Sequence, residues 1–144
     1  MSTRVVFDTS VLVRYLIRPS AALRALIEDY WLAGEVVMVT APEVLAELEA
    51  VLARPALQKF VHADEASDFV AIVRSRAEML PSLGEPPRFT RDRKDDSFVF
   101  CALAGSASHL VTADNDLLVL GVVDTVAVLT PEAFLAFLRS LTSA

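Results

Sequence analysis

The sequence predicts an α/β fold with a mostly parallel central sheet. Short apolar, β-branched runs such as RVVF (4–7), VVMV (36–39) and VAVL (126–129) alternate with longer segments of helical periodicity. Strands buried on both faces and joined by helical crossovers read in this way. Acidic residues recur where strands end: Asp8 closes RVVFD, and Asp114 and Asp116 follow HLVTA. Sites of open α/β sheets form beyond the carboxyl ends of the strands. Finally, 144 residues, 54% of them hydrophobic, suit a single domain, 1–144, with a sizeable core.

Each element has its own signal. Thr3 to Asp8 reads as a buried strand. Ser10 to Ile17 follows with a helical apolar pattern that stops near Pro19. Ser20 starts a second helix, which runs to about Ala33 and ends at Gly34. Val36 to Val39 is the second strand. Pro42 suits the first turn of the helix EVLAELEAVLA, and Pro55 begins the short helix PALQKFV. Asp64 is the expected N-cap of DEASDFVAIVRSRAEML. The stretch PSLGEPPRFT (81–90) is rich in Pro and Gly and reads as a loop within the domain. Asp95 or Asp96 opens the apolar helix FVFCALAGSA. His109 to Thr112 and Val126 to Leu129 are the third and fourth strands, and Pro131 starts the last helix, PEAFLAFLRSL.

Composition excludes several classes. No apolar run approaches the roughly 18 residues of a membrane span. Arg4 precedes only three apolar residues before Asp8, unlike a signal peptide, so a cytoplasmic protein with no membrane partner is expected. The lone Cys101 lies in the apolar VFCALA and reads as a buried structural thiol. His62 and His109 are far apart and lack a cysteine set, which argues against structural zinc. The net charge of −6 opposes nucleic-acid binding, because phosphate contacts need Lys and Arg. Carboxylates gathered around a cation would account for much of that excess. Arg88, Arg91, Arg93 and Lys94 bunch within seven positions.

Asp8, Asp96 and Asp114 each have a plain alternative as helix N-caps. Thr9 or Ser10 could cap the first helix equally well, which leaves Asp8 without a structural reason. Asp95–Asp96 and Asp114–Asn115–Asp116 crowd like charges, in a solvated loop or around a cation. The apolar run Phe98 to Ala104 pulls the helix start inward and favours the cation for Asp96. On the helix from Glu43 to Ala53, Glu47 and Glu49 flank the apolar stripe at similar angles. Periodicity does not choose between them.

FDTSVLV, PEVLAELEAVL, RDRKDDSFVFCALA and LVTADNDLL, in this order and spacing, resemble the successive motifs of PIN-domain ribonucleases. The likeness is greatest to VapC-type toxins of bacterial toxin–antitoxin pairs, and it runs on to LTPEAFLAFL. It implies a three-layer α/β/α PIN-like domain whose mostly parallel sheet has four to five strands. It also implies that Asp8, Glu47, Asp96 and Asp114 form the catalytic, metal-holding set, which breaks the tie with Glu49. Asp95, Asp116 and Thr112 fall on supporting positions. Ser10 stands where the family usually carries Asn, and a serine can still hydrogen-bond a carboxylate.

The implied activity is hydrolysis of RNA phosphodiester bonds with Mg²⁺ or Mn²⁺, hard cations that take oxygen ligands. Arg91, Arg93 and Lys94 would guide the RNA backbone, or else form a solvated basic loop. The implied partners are a cognate antitoxin, which inserts a basic side chain among the carboxylates, and a second copy of the chain. Tyr15, Tyr30 and Trp31 are candidate contact residues, with core packing as the competing role. Two other functions compete: a degenerate PIN-like protein that binds metal or a partner without cleaving, and a phosphatase with Asp8 as nucleophile. Such phosphatases carry a second Asp two residues on, where this chain has Ser10.

Overall fold

The computed structural model describes residues 2–142. Four strands form the body of the sheet: β1 (Thr3–Phe7), β2 (Val36–Thr40), β4 (His109–Val111) and β6 (Val126–Leu129). Two-residue strands close its edges: β3 (Glu78–Met79) beside β2 and β5 (Val122–Val123) beside β6. The order is β3-β2-β1-β4-β6-β5, parallel throughout except for the antiparallel β5–β6 pair. Six strands are therefore present where four to five were expected. The additions are too short to show a period.

Alternation along the strands makes the three layers. Val5 and Phe7 of β1 and Val111 of β4 face one core, and Val6 and Leu110 face the other. The first core is covered by α1 (Thr9–Ile17), α2 (Ala21–Arg24), α3 (Pro42–Leu52), α5 (Ala63–Arg76) and α8 (Pro131–Thr142). It holds Leu23, Ile27, Leu48 and Phe134, all essentially without exposure. Each such side chain stabilises the fold by roughly 1.5–3 kcal/mol relative to leaving it in water. The second core lies under α6 (Arg93–Ala104) and α7 (Asn115–Leu118), with α4 (Pro55–Gln58) at the rim of the first. After α2 the chain widens into a π-helical stretch, Ala25–Trp31, capped by Leu32, and Gly34 closes the turn beyond it with φ +83°.

Trp31 is buried and Tyr15 and Tyr30 are half-buried against the first core, so core packing is their observed role. Cys101 is fully buried, and burial pushes its thiol up to about 12. Helix α5 ends at Arg76, short of the expected Leu80. Glu78 and Met79 instead pair with Val39 and Thr40, while Arg4 holds the Glu78 carboxylate and the Gly105 carbonyl. Tertiary pairing has overridden helical propensity there. The N-cap of α5 is His62 and not Asp64. Gly105 is the C-cap of α6, and only glycine fits there, since a Cβ would stand 2.5 Å from Val39 Cγ1. That close approach seats the C-terminal end of α6 on the sheet.

Candidate metal centre

The carboxyl ends of β1 and β4 lie side by side, paired through Phe7 and Val111. Both chains leave the sheet there, each into a helix start. Asp8 does cap α1: its Oδ1 accepts from Val11 N at 3.0 Å. The same oxygen accepts from Ser10 Oγ at 2.8 Å, and Oδ2 accepts from Thr112 Oγ1. Thr112 Oγ1 in turn accepts from Asp114 N at 2.9 Å. One buried hydroxyl thus locks the two strand-end acids together. Asp114 caps α7, with Oδ1 accepting from Asp116 N at 2.9 Å. Capping and site membership are not rivals at these positions. A strand end that turns into a helix aims its capping carboxylate into the crevice. Burial pushes the Asp8 carboxyl up, against the hydrogen bonds from Thr112, Val11 and Ser10.

Helix α6 forms the facing wall. Its N-cap is Asp92, which accepts from Lys94 N at 3.0 Å, so neither Asp95 nor Asp96 opens the helix. Both sit in its first turn and both are buried, but they diverge. Asp95 faces Asp8 and Asp114 across the cleft. Its Oδ2, like that of Asp96, is buried without a hydrogen-bond partner. Oxygens of Asp95, Asp114 and Asp116 lie within 4.8 Å of one another. Burial, then the charge of Asp114, push the Asp95 carboxyl up to about 7.

Asp96 is turned away from the cleft, toward the preceding loop. Its Oδ1 accepts from Phe89 N at 2.9 Å, Thr90 N at 2.7 Å and Thr90 Oγ1 at 3.0 Å. Burial alone would raise its pKa, but these donors outweigh it and hold the carboxyl below its ordinary value. The expected set of Asp8, Glu47, Asp96 and Asp114 is therefore not brought together. Asp8, Glu47 and Asp114 line the cleft together with Asp95, and Asp96 is not among its lining residues.

Glu47 and Glu49 separate cleanly. Glu49 pairs with Arg74 at 2.7 Å on the α5 side. Glu47 lines the cleft, and its Oε2 accepts from Thr9 Oγ1 at 3.0 Å. Burial pushes its carboxyl up, with Asp8 adding to the effect and Lys94 and Arg54 opposing it. The cleft between α3 and α6 has a volume of about 410 Å³. Of the expected RNA-binding residues, Lys94 lines it, Arg93 pairs with Glu85 at 2.9 Å, and Arg91 lies beyond Thr90 beside Asp116. Arg54, a cleft residue outside the basic bunch, was not anticipated.

The PIN domain family profile matches residues 4–116. The chain belongs to the PIN domain family. No curated protein matches it by sequence. Among solved structures, PAE2754 from Pyrobaculum aerophilum superposes with a TM-score of 0.61 at 21% identity, covering 96% of this chain and 90% of that one. VapBC2 from Rickettsia felis, bound to a DNA fragment from its promoter, gives 0.58 at 16%, covering 88% and 97%. VapC20 from Mycobacterium tuberculosis, a sarcin-ricin loop cleaving toxin, gives 0.55 at 14%, covering 83% and 97%. These likenesses extend the PIN fold over nearly the whole chain. Membership in the family argues against the aspartyl-phosphatase alternative.

The donor set of this PIN domain suits a hard divalent cation. Its ligand atoms are carboxylate oxygens, and His and Cys are absent from the cluster among the described residues. A carboxyl pushed up by burial and then by the like charge of Asp114 marks a place where positive charge is missing. Among the described residues, no helix is long and apolar enough to cross a membrane.

Proposed function

We propose that this PIN-domain protein, as a single domain spanning 1–144, is a divalent-metal-dependent endoribonuclease and the toxin of a toxin–antitoxin pair. The observation that carries the proposal is the gathering of Asp95, Asp114 and Asp116 oxygens within 4.8 Å of one another, beside a cleft that also holds Asp8 and Glu47. Asp8, Asp95 and Asp114 would hold Mg²⁺ or Mn²⁺, with Asp116 at the rim. The role first assigned to Asp96 passes to Asp95. A bound cation there offsets charge on the phosphate and acidifies a water.

The chain's own residues do the rest. Thr112 and Ser10 hold the Asp8 carboxylate in one rotamer by donating to its two oxygens. Thr9 occupies Glu47 Oε2, which leaves Oε1 to take the proton of the attacking water. A raised carboxyl suits that proton transfer better than an ordinary one. Lys94 meets the phosphate backbone from the α6 wall. A cognate antitoxin would silence the site by placing a basic side chain among the acids, and a homodimer would set how two clefts face the RNA.

The second reading is a PIN domain that binds metal without cleaving, favoured by Ser10 and the net charge of −6. Cleavage of single-stranded RNA by purified protein, with and without Mn²⁺, decides between them. Metal-dependent cleavage lost in Asp8→Asn and Asp95→Asn supports the nuclease. Mn²⁺ binding without turnover supports the second reading. Equal activity in wild type and variants points to a contaminant and sinks the proposal.

A further inference from the structure

The cleft presents an electrostatic difficulty. Asp8, Glu47, Asp92, Asp95 and Asp114 all line it, and an RNA phosphate has to approach them. One cation held by three carboxylates does not reverse that field. Positive charge is needed on the walls, where the strand enters and leaves.

Two basic side chains line the cleft, on opposite walls: Lys94 on α6 and Arg54 on the α3–α4 turn. Arg54 lies seven residues after Glu47, with Val51 between them, and all three face the cleft. That spacing puts them on one face of the helix and its exit. Arg54 is the N-cap of α4, and Pro55 at the first position of α4 sets where the turn begins. The guanidinium forms no hydrogen bond or ion pair with any described residue, unlike the guanidinium groups of Arg4, Arg74 and Arg93. Its field reaches Glu47 together with that of Lys94.

We infer that Arg54 is a substrate-positioning residue that binds an RNA phosphate next to the scissile one, opposite Lys94. The inference rests on the proposed nuclease reading. The planar fork of arginine fits two phosphate oxygens at once, a geometry lysine does not offer. Its position on an outer wall keeps it apart from the carboxylates that hold the cation. Its contribution is therefore to substrate binding and not to cation binding.

The test compares wild type, Arg54→Gln and Arg54→Lys on a single-stranded RNA oligonucleotide. KM, kcat and the salt dependence of KM are measured with Mn²⁺ present, and Mn²⁺ affinity is measured alone by calorimetry. For Arg54→Gln, KM rises roughly 5- to 30-fold, kcat stays within about threefold, and the logarithmic salt slope falls by about 0.7, the value for one phosphate contact on a single strand. Arg54→Lys keeps the slope and recovers part of the KM. Mn²⁺ affinity is unchanged in both. A wild-type KM and slope in Arg54→Gln overturns the inference and leaves the nuclease reading intact, and so does a loss explained by weaker Mn²⁺ binding. If the wild type neither binds nor cleaves RNA, both fall together.

Discussion

The first turn of α6 has a side that faces the cleft and a side that faces the loop before it, and the two treat a carboxylate in opposite ways. On the loop side, Asp96 is fully buried, but one of its oxygens takes three hydrogen bonds from Phe89 and Thr90. On the cleft side, Asp95 is buried among other acids, with oxygens of Asp114 and Asp116 within 4.8 Å of its own. The first carboxyl is held below its ordinary pKa and the second is pushed up to about 7. Sequence neighbours about 100° apart on a helix thus stand in opposite settings, one anchored to the loop and one facing the acids of the cleft. Burial is common to both; the donors around each differ.

Activity should separate the two sides most strongly. Asp95→Asn and Asp8→Asn are each expected to lower metal-dependent RNA cleavage by about 10²–10³-fold or more, because each removes a proposed cation ligand. Asp96→Asn keeps an acceptor oxygen for Phe89 and Thr90, and its activity is expected to stay within about tenfold of wild type. Single-turnover cleavage rates check this. Matching losses in Asp95→Asn and Asp96→Asn would erase the distinction drawn from the geometry.

Stability should separate them in the reverse direction. Asp96→Ala leaves two backbone amides and a hydroxyl without their acceptor and frees the loop to drift. The expected cost is about 2–4 kcal/mol in denaturant unfolding. Glu43 pins the other end of the same loop, where Ser82 Oγ and the Leu83 and Gly84 amides donate to it; the Ser82 bond first, then that from Leu83, bring its carboxyl down to about 2. Asp95→Ala, by contrast, should cost little, because it removes a carboxylate that is repelled by its neighbours.

The pH dependence follows from the burial of Asp95 and the repulsion it meets. The folded-state pKa of Asp95, about 7, lies above the ordinary carboxylate value of 3.8, so the native state keeps a proton the unfolded chain has lost. Stability of the metal-free protein attributable to this group is full below about pH 4 and is lost as pH rises through 7. Asp95→Asn removes that loss. A gain on the order of 1–2 kcal/mol is expected at pH 8, reduced from the full linkage value because water reaches the cleft. Mn²⁺ should stabilise wild type at pH 8 by mass action and Asp95→Asn far less. Thermal melts across pH, with and without Mn²⁺, would show it.

The divergence of Asp95 and Asp96 also marks the limit of what the sequence could reveal. Strands β1, β2, β4 and β6 were legible because β-branched runs buried on both faces announce themselves. The edge strands β3 and β5 have two residues each, and their existence depends on partners distant in sequence. Asp8 and Asp114 were legible because strand ends point into the crevice. Asp95 and Asp96 both precede the same apolar run, and the choice between them depends on where α6 starts. Asp92 was the missed signal. As N-cap it stands three residues before Asp95, and both line the cleft. That spacing puts them on one face, which turns Asp96 inward. Arg54 stayed hidden because it stands alone in sequence and meets Lys94 only through the packing of α3 against α6.

The smallest effect concerns Ser10, where the family resemblance leads one to expect Asn. Its hydroxyl donates to Asp8 Oδ1 at 2.8 Å, while Val11 N supplies a second donor to the same oxygen and Thr112 serves the other. Asp8 therefore keeps two of its three donors if Ser10 is lost, whereas Asp96 loses its entire anchorage if the Phe89–Thr90 loop moves. Ser10→Ala should cost only about 0.5–1.5 kcal/mol, the net worth of one hydrogen bond, and reduce cleavage a few-fold. Ser10→Asn restores a donor amide and should recover or exceed wild-type activity without changing stability by more than that amount. Cleavage rates of the two variants, set beside their unfolding midpoints, test whether the strand-end half of the site is as redundantly held as its hydrogen bonds indicate. A Ser10→Ala loss as deep as that of Asp8→Asn would mean that this one hydroxyl, and not the shared set of donors, orients the first acid.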